Sequence, residues 1–371
     1  MADYNSSICC IFNIGTHYRN PIYSKMSSEL PCDFYFGDRL LTPIKKMDYT
    51  QLNHFRSELH NKYLFSQFYW QSKSVRLVFK PYTYYVLDGE PYCLSSWVIL
   101  FWAKLLNKRT VAWTHGWYGK ETLLERVIKK LFFKLADGLF IYGNYAKGLL
   151  IKEGFSSDKL YVIHNSLSYD VQLEQREQMR KTPIYSEHFG NTNPVLIFIG
   201  RLTPIKQLDM LVQSIYDLKN KGLNCNLVFI GDGSMRKMLE QKVKSLNITQ
   251  QVWFYGACYD EDTNAELIYN ADLCVAPGNV GLTAIHAMMF GCPVITHGDF
   301  RYQMPEFEAI KPLLTGNFYK RGCQESLNEK ISEWFNVNGK RRKYVQQYCY
   351  DEIDNQWNPY YQMHIIKSVF S

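Results

Sequence analysis

Val195–Lys206 reads VLIFIGRLTPIK, and Val275–Thr296 reads VAPGNVGLTAIHAMMFGCPVIT. In the first stretch an apolar run stops at Gly200, and the loop behind it delivers Arg201 and Lys206 on either side of Pro204. Proline fixes its own φ and so presets a turn into the next helix. In the second stretch a strand, a glycine-containing loop and a new helix follow one another. The first N–H groups of that helix, from about Val280 through Gly281 and Leu282 to Thr283, then carry partial positive charge. Each stretch is a device for holding an anion at the carboxyl end of a parallel sheet. Arginine brings a bidentate fork and lysine a point charge, a pair suited to two phosphates. Together they describe a diphosphate clamp and imply a nucleotide-linked substrate. Taken alone, the two cations read equally well as solvated surface charges.

Working outward, strand and helix patterns alternate on both sides of these stretches, which predicts the α/β class with parallel sheets. Strands are expected at Ile8–Ile14, Cys32–Phe36, Tyr84–Leu87, Thr110–Trp113, Gly138–Tyr142 and Leu160–Ile163. A second series is expected at Val195–Ile199, Asn226–Ile230, Val252–Tyr255, Leu273–Ala276 and Pro293–Thr296. The region Leu40–Lys73 has no clear period. Residues 169–193, with the charged run Gln172–Lys181 and the turn cluster Asn191–Pro194, break the alternation and read as a linker. The chain therefore divides into a first Rossmann-like domain, 1–168, a second, 194–345, and a helical end, 346–371, that returns to the first domain. Two such halves predict a central cleft faced by the carboxyl ends of both sheets.

The bulk properties set limits. A chain of 371 residues suits two hydrophobic cores, and 46% hydrophobic with 21% charged residues is a globular composition. A net charge of +7 is no nucleic-acid footprint, and it fits anionic substrates or an acidic membrane nearby. The 28 tyrosines suit sugar stacking as well as ordinary half-buried packing. The ten cysteines include no Cys-x-x-Cys spacing, so no zinc-ribbon or thioredoxin signal is present, and Cys9, Cys10, Cys225, Cys274 and Cys292, in or beside apolar runs, read as reduced, buried residues of a cytosolic protein. Met1–Ser7 is polar and lacks the basic start of a secretory leader. The apolar run Trp97–Leu106 is too short to span a bilayer.

Two further loops carry chemistry. Gly231-Asp232-Gly233 lets backbone N–H groups approach a ligand closely. His286 lies about one turn inside the helix that follows Pro277–Thr283. Asp260-Glu261-Asp262 is a formal Asp-x-Asp, but it precedes a helix start, where acids are favoured anyway, so it reads as solvated N-terminal acids and no metal is expected. The helix expected over residues 121–135 puts Leu124, Val127, Ile128, Leu131 and Leu135 on one face, with Arg126, Lys129, Lys130 and Lys134 around the rest. That pattern suits an outer helix of an α/β domain or one lying on anionic lipid.

The segments VLIFIGRLTPIKQLDMLVQSI, LVFIGDG, WFYGA and ADLCVAPGNVGLTAIHAMMFGCPVIT, taken in order, resemble the C-terminal domain of retaining GT-B glycosyltransferases of sequence family four, the glycosyl transferases group 1. WTHGWYGKE and LADGLFIYGNYAKGLLIKEGFSSDKLYVIHNSL resemble the end of that family's acceptor domain. The resemblance implies the GT-B fold, with a nucleotide sugar on the second domain and a glycan or lipid-linked acceptor on the first. Arg201 and Lys206, behind Gly200, would hold the diphosphate. Gly231 and Asp232 would line the nucleotide side, Tyr255 and Gly256 would border the base, and His115 would sit near the donor sugar and the acceptor hydroxyl. No cofactor is implied beyond the nucleotide sugar as co-substrate, and its base stays open.

The chain departs from that family at two positions. The family carries two glutamates eight positions apart, the first on the donor sugar and the second on the ribose; here Gly278 and His286 stand there. Imidazole can still hold a ribose hydroxyl. Gly278 cannot replace a sugar contact, but Asn279 beside it can, as can Glu306 or Glu308 from the loop beyond. The resemblance implies same-face transfer, in which the departing phosphate takes the acceptor proton. An epimerase of the same architecture and a binding module without turnover stay open beside it. A dehydrogenase is disfavoured, since Gly15-Thr16-His17-Tyr18 after the first strand is no dinucleotide fingerprint.

Overall fold

The computed structural model describes residues 7–41 and 44–370; of the polar start Met1–Ser7 only Ser7 lies within them. The chain forms two compact units, one running to Ser168 and taking up the chain again from Asn358, the other Tyr169–Trp357.

The first unit is built on seven strands in the order Phe55–Leu59, Cys32–Gly37, Ile8–Phe12, Tyr84–Asp88, Arg109–Thr114, Gly138–Ile141, Leu160–Val162. Every pairing is parallel. Ile8–Phe12 and Gly138–Ile141 are buried along their whole length. Continuous apolar strands of that kind belong in a parallel sheet covered on both faces. Aromatic rings fill much of the core: Phe12 stacks on Tyr23 and meets Trp113 edge-on. Tyr23, Tyr82, Tyr85 and Tyr142 are fully buried, so the packing reading holds for these tyrosines. The unorganised region 40–73 contains an edge strand, Phe55–Leu59, and an antiparallel hairpin, Asn61–Phe65 with Phe68–Gln71.

The second unit has six parallel strands in the order Val252–Gly256, Asn226–Ile230, Val195–Ile199, Leu273–Ala276, Val294–His297, Gly316–Tyr319. The strand order reverses between Val195–Ile199 and Leu273–Ala276. In open α/β sheets such a switch point opens a crevice at the carboxyl ends of the strands.

The expected boundaries shift. Residues 169–193 are not an open linker: they hold the helices Tyr169–Gln178 and Ile184–Phe189 and belong to the second unit. Gln172 and Tyr185 anchor them, the first on Glu261 and the second on the carbonyl of Leu267. Helix Arg342–Gln356 also stays with the second unit, where Arg342 pairs with Asp272 at 2.8 Å. Only Pro359–Phe370 belongs to the first. Its Met363 and Ile366 join the core around Ile22 and Met26, and Lys367 reaches Glu29 at 2.6 Å. All ten cysteines are unpaired, and eight are buried. Among the described residues no helix is long and apolar enough to cross a membrane.

Candidate functional site

In the second unit three loops meet at the switch point. Strand Val195–Ile199 ends at Gly200, whose N–H donates to the carbonyl of Ile230 at 2.9 Å. Leu202 N–H then donates to the carbonyl of Asp232 at 2.9 Å, and Gly231 N–H to that of Gly256 at 2.7 Å. The loops after the three strands are thereby joined through their backbones. This changes the reading of Gly231 and Gly233. A Cβ on Gly231 would stand 2.0 Å from the Gly200 carbonyl oxygen, and one on Gly233 2.4 Å from that of Leu202. These positions are glycine because a neighbouring loop lies on them. Asp232 is exposed and accepts from Gly233 N–H.

Lys206 ends a single 3₁₀ turn, Pro204–Lys206, and Gln207 passes through φ +50° into helix Leu208–Asn220. The lysine Nζ donates to the carbonyl of Asn279 at 2.7 Å and lies 3.5 Å from that of Val280. In return Gly278 N–H donates to the Lys206 carbonyl at 2.9 Å. The structure thus brings Lys206 and the loop 277–282 together. Burial pushes the Lys206 ammonium down to about 8; the Glu306 carboxylate opposes that shift and the Arg201 charge adds to it. Arg201 is exposed.

The loop 276–280 is held from behind. Thr296 Oγ1 donates to the carbonyl of Ala276 at 2.8 Å, and Tyr319 Oη to that of Pro277 at 2.7 Å. Gln303 Oε1 accepts from Val280 N–H at 2.9 Å, while its Nε2 donates to Thr296 Oγ1 at 2.8 Å and to the His297 carbonyl at 3.0 Å. One expectation falls here. Val280 N–H is not open to a ligand, because Gln303 takes it, and the helix spans Thr283–Met289, with Leu282 half-exposed at its cap. Thr283 itself donates to the carbonyl of Ile199 at 2.8 Å. Asn279 Oδ1 is buried without a hydrogen-bond partner. Gly281 turns at φ +57°, and a Cβ there would stand 3.9 Å from Lys206 Nζ.

Gly278 has its own reason. A Cβ there would lie 2.0 Å from the Ile205 carbonyl oxygen and 2.7 Å from Lys206 Cα. No glutamate fits while the turn 204–206 keeps its place.

His286 is paired. Its Nε2 lies 2.7 Å from Glu261 Oε1. The same oxygen accepts from Gln172 Nε2 at 2.7 Å, and Asn264 Nδ2 reaches the other at 3.3 Å. Burial pushes the Glu261 carboxyl up, but these hydrogen bonds outweigh it and hold it below the usual carboxylate range. The reading of 260–262 as solvated acids therefore fails for Glu261. Asp260 caps helix Glu261–Asn270 through Thr263 N–H, and Asp262 accepts from Gln175. Tyr255, at the end of its strand, is partly exposed and packs on Trp253, and Gly256 turns at φ +101°.

His115 belongs to the first unit, directly after strand Arg109–Thr114. Its ring lies 4.8 Å from that of Tyr142. Arg19 donates to the hydroxyls of Tyr142 and Tyr23. Burial, joined by the charges of Arg19 and Lys129, pushes the His115 imidazole down to about 3. An imidazole held that low is neutral near pH 7, and one ring nitrogen can donate a hydrogen bond while the other accepts one. Arg19, Glu261 and Gln303 are functional candidates that the sequence did not reveal, because each acts through a partner remote in the chain.

Residues 179–350 match the family described as glycosyl transferases group 1. The chain is 30% identical over 129 residues to a GDP-mannose-dependent alpha-(1-6)-phosphatidylinositol dimannoside mannosyltransferase of Mycobacterium tuberculosis, a match covering 34% of this chain and 33% of that protein. The putative glycosyltransferase EpsF of Bacillus subtilis is 20% identical over 235 residues, 62% of this chain and 57% of the relative. The chain thus matches about a third of the length of the mycobacterial relative. Among solved structures, Anabaena Alr3699/HepE in complex with UDP aligns with a TM-score of 0.72 at 13% identity, over 98% of this chain and 99% of that one. The lipopolysaccharide outer core galactosyltransferase WaaB, in its apo form, gives 0.70 at 16% identity, with 98% and 99% coverage. The fold is that of the GT-B glycosyltransferases.

Proposed function

We propose, from the match of residues 179–350 to the family described as glycosyl transferases group 1, that this chain moves a sugar from a nucleoside diphosphate to an acceptor hydroxyl with retention. The observation that carries the reading is Lys206, seated on the carbonyls of the loop 279–280 at the switch point of the second sheet. Lys206, Arg201 and the start of helix Thr283–Met289 hold the diphosphate and stabilise the charge that grows on it as it leaves. Asn279, whose buried oxygen lacks a donor, takes a donor-sugar hydroxyl in place of the glutamate absent at 278. His286 holds the ribose, and Glu261 behind it supplies the carboxylate that the family has at position 286 itself. Tyr255 and Gly256 border the base. In the reaction the bond from the anomeric carbon to the phosphate oxygen breaks, and the acceptor oxygen bonds to that carbon on the same face. The acceptor proton passes to the departing phosphate oxygen, and neutral His115 donates a hydrogen bond to the substrate.

Calorimetric titration with UDP, GDP and their sugars is the direct test. The sign of its pH dependence follows from Lys206. The lysine is protonated below about 8 and a diphosphate favours the protonated form, so affinity holds below about pH 7 and falls as pH rises, approaching tenfold per unit above about 8. Lys206→Arg should flatten that fall. The reading is lost if none of these nucleotides binds; anomeric NMR of the product then decides retention.

We also propose a lipid-linked acceptor, in surface polysaccharide or glycolipid assembly at the cytoplasmic face of a membrane. Helix Leu123–Leu135 turns Phe132 and Phe133 into the core, while Leu123, Leu124, Val127 and Leu131 each expose more than half their surface. Of the two readings of this helix, an ordinary outer helix or one lying on lipid, the exposure of Leu124, Val127 and Leu131 supports the second. Arg126 and Lys130 are paired with Glu153, and Lys129 with Glu121, so apolar burial rather than charge would drive contact with lipid. The unpaired cysteines suit a reducing compartment. Leu124→Glu with Leu131→Glu should lower binding to phospholipid vesicles by on the order of 100-fold in a sedimentation assay, the scale for keeping two leucines out of an apolar phase.

A further inference from the structure

His115 is held by ring contacts rather than by hydrogen bonds. Its imidazole lies 4.8 Å from the ring of Tyr142 and 6.4 Å from that of Tyr118, and neither ring nitrogen has a hydrogen-bond partner among the described residues. A ring contact is a weak restraint, about 1 kcal/mol per pair. The aim of the imidazole therefore depends on how firmly Tyr142 is fixed.

Arg19 fixes it. Tyr142 is fully buried, and its hydroxyl accepts from Arg19 Nη2, while Nη1 donates to the hydroxyl of buried Tyr23 at 3.2 Å. Arg19 Cζ also stands 5.6 Å from the centre of the Tyr142 ring and 5.8 Å from that of Trp113, within cation–π range. A guanidinium out of water is ordinarily paired with a carboxylate. Here the partners are two phenols, no ion pair forms among the described residues, and Nε is buried without a hydrogen-bond partner. Asp88 attracts the charge from farther away and itself accepts from Asn13 N–H at 3.2 Å. Such a group is costly to bury, and its contacts lead to the ring that supports His115.

The charge reaches His115 through space as well. Burial is the larger reason that the imidazole resists a proton, and Arg19 and Lys129 add to it. Glu90, Lys120, Glu121 and Glu125 line the same cavity as His115. Glu121 is paired with Lys129 at 2.9 Å, and Glu125 closes the capping box with Thr122.

Resting on the transfer reading above, in which His115 hydrogen-bonds the substrate, we propose that Arg19 is a positioning residue for His115: it clamps the Tyr142 hydroxyl so that the Tyr142 ring presents the imidazole in one orientation.

Two measurements on the full chain test this. The first needs no substrate. The His115 ring, labelled with carbon-13 and assigned with His115→Ala, is followed by NMR while the pH is lowered from 8 to 4. Losing a nearby positive charge eases protonation, so in Arg19→Met the titration should begin about one pH unit higher than in the wild type. Its signal should also broaden as the ring takes up more than one orientation. Unchanged titration and line shape overturn the proposal. If Arg19→Met proves unfolded by thermal melting, Tyr142→Phe decides in its place, since it removes the clamped hydroxyl and keeps the ring: a broadened His115 signal supports the proposal and parity overturns it. The second measurement is a mutant cycle on consumption of UDP-glucose and GDP-mannose. Arg19→Met should lower kcat by on the order of 10²-fold at unchanged donor KM, and by less than about threefold in a His115→Ala background. Equal losses in both backgrounds overturn the proposal, because Arg19 would then act without His115. If the wild type consumes neither donor, the NMR comparison decides alone. Failure of the transfer reading shows separately, as absence of nucleotide binding in the wild type.

Discussion

Lys206→Ala should lower turnover by on the order of 10²-fold or more, the loss expected when one preorganised electrostatic contact is removed from a leaving group. The structure explains why the effect should be large. The ammonium is seated before any ligand arrives, at 2.7 Å from the Asn279 carbonyl, so no reorganisation is needed when charge develops on the diphosphate. It is also partly desolvated, which strengthens its field at the phosphate. Truncation removes this charge and leaves the Asn279 carbonyl without its donor. Arg201, exposed at the loop's outer side, keeps part of the ground-state affinity, so the loss should fall on turnover more than on donor KM. Steady-state kinetics with a saturating donor checks this. Turnover near the wild-type value would show that the leaving group lies elsewhere.

Gly278→Ala should damage stability and activity together. Its methyl group would occupy the place of the Ile205 carbonyl oxygen, 2.0 Å from the Cβ position, with Lys206 Cα at 2.7 Å. These are backbone atoms and cannot swing aside. The turn 204–206 must move as a body, which breaks the bond from Gly278 N–H to the Lys206 carbonyl and carries the lysine off its seat. Overpacking of this kind costs about 3 kcal/mol, or a fall in Tm on the order of 10 °C for a unit of this size. Calorimetric scanning of Gly278→Ala, with a nucleotide titration beside it, reads both effects. Gly278→Glu, which restores the family's residue, should be no more active than Gly278→Ala. An unchanged Tm for Gly278→Ala would refute the close approach.

Much of the second unit was legible in the chain, and the reason is local. Runs such as Val195–Ile199 and Asn226–Ile230 are wholly buried, so their apolar character declares them. Edge strands escape that logic. Phe55–Leu59 reads FRSEL and carries exposed polar residues at alternate positions, and Gly316–Tyr319 is four residues long. Neither has the composition of a central strand. The linker reading failed because helix Tyr169–Gln178 is polar nearly all round and gains its place from contacts such as Gln172 on Glu261. Among the candidate site residues, Arg201, Lys206 and the loop 277–282 stand out in the sequence by type and spacing, and the structure seats Lys206 on that loop. Gln303, Arg19 and Glu261 do not, since what they do is set by partners brought near only by the fold. The unusual Gly278 was visible, but its cause, the carbonyl of Ile205, was not.

Gln303 has a wider consequence. One amide side chain ties the N–H of Val280 to the hydroxyl of Thr296 and the carbonyl of His297, fastening the helix-entry loop to the neighbouring strand. A segment tethered in this way cannot slide to suit differently shaped guests. On the transfer reading proposed above, latitude for alternative sugars would be left to the rotamers of Asn279 and its neighbours, so the chain is expected to accept a narrow range of donors and to discriminate by rejection rather than by adjustment.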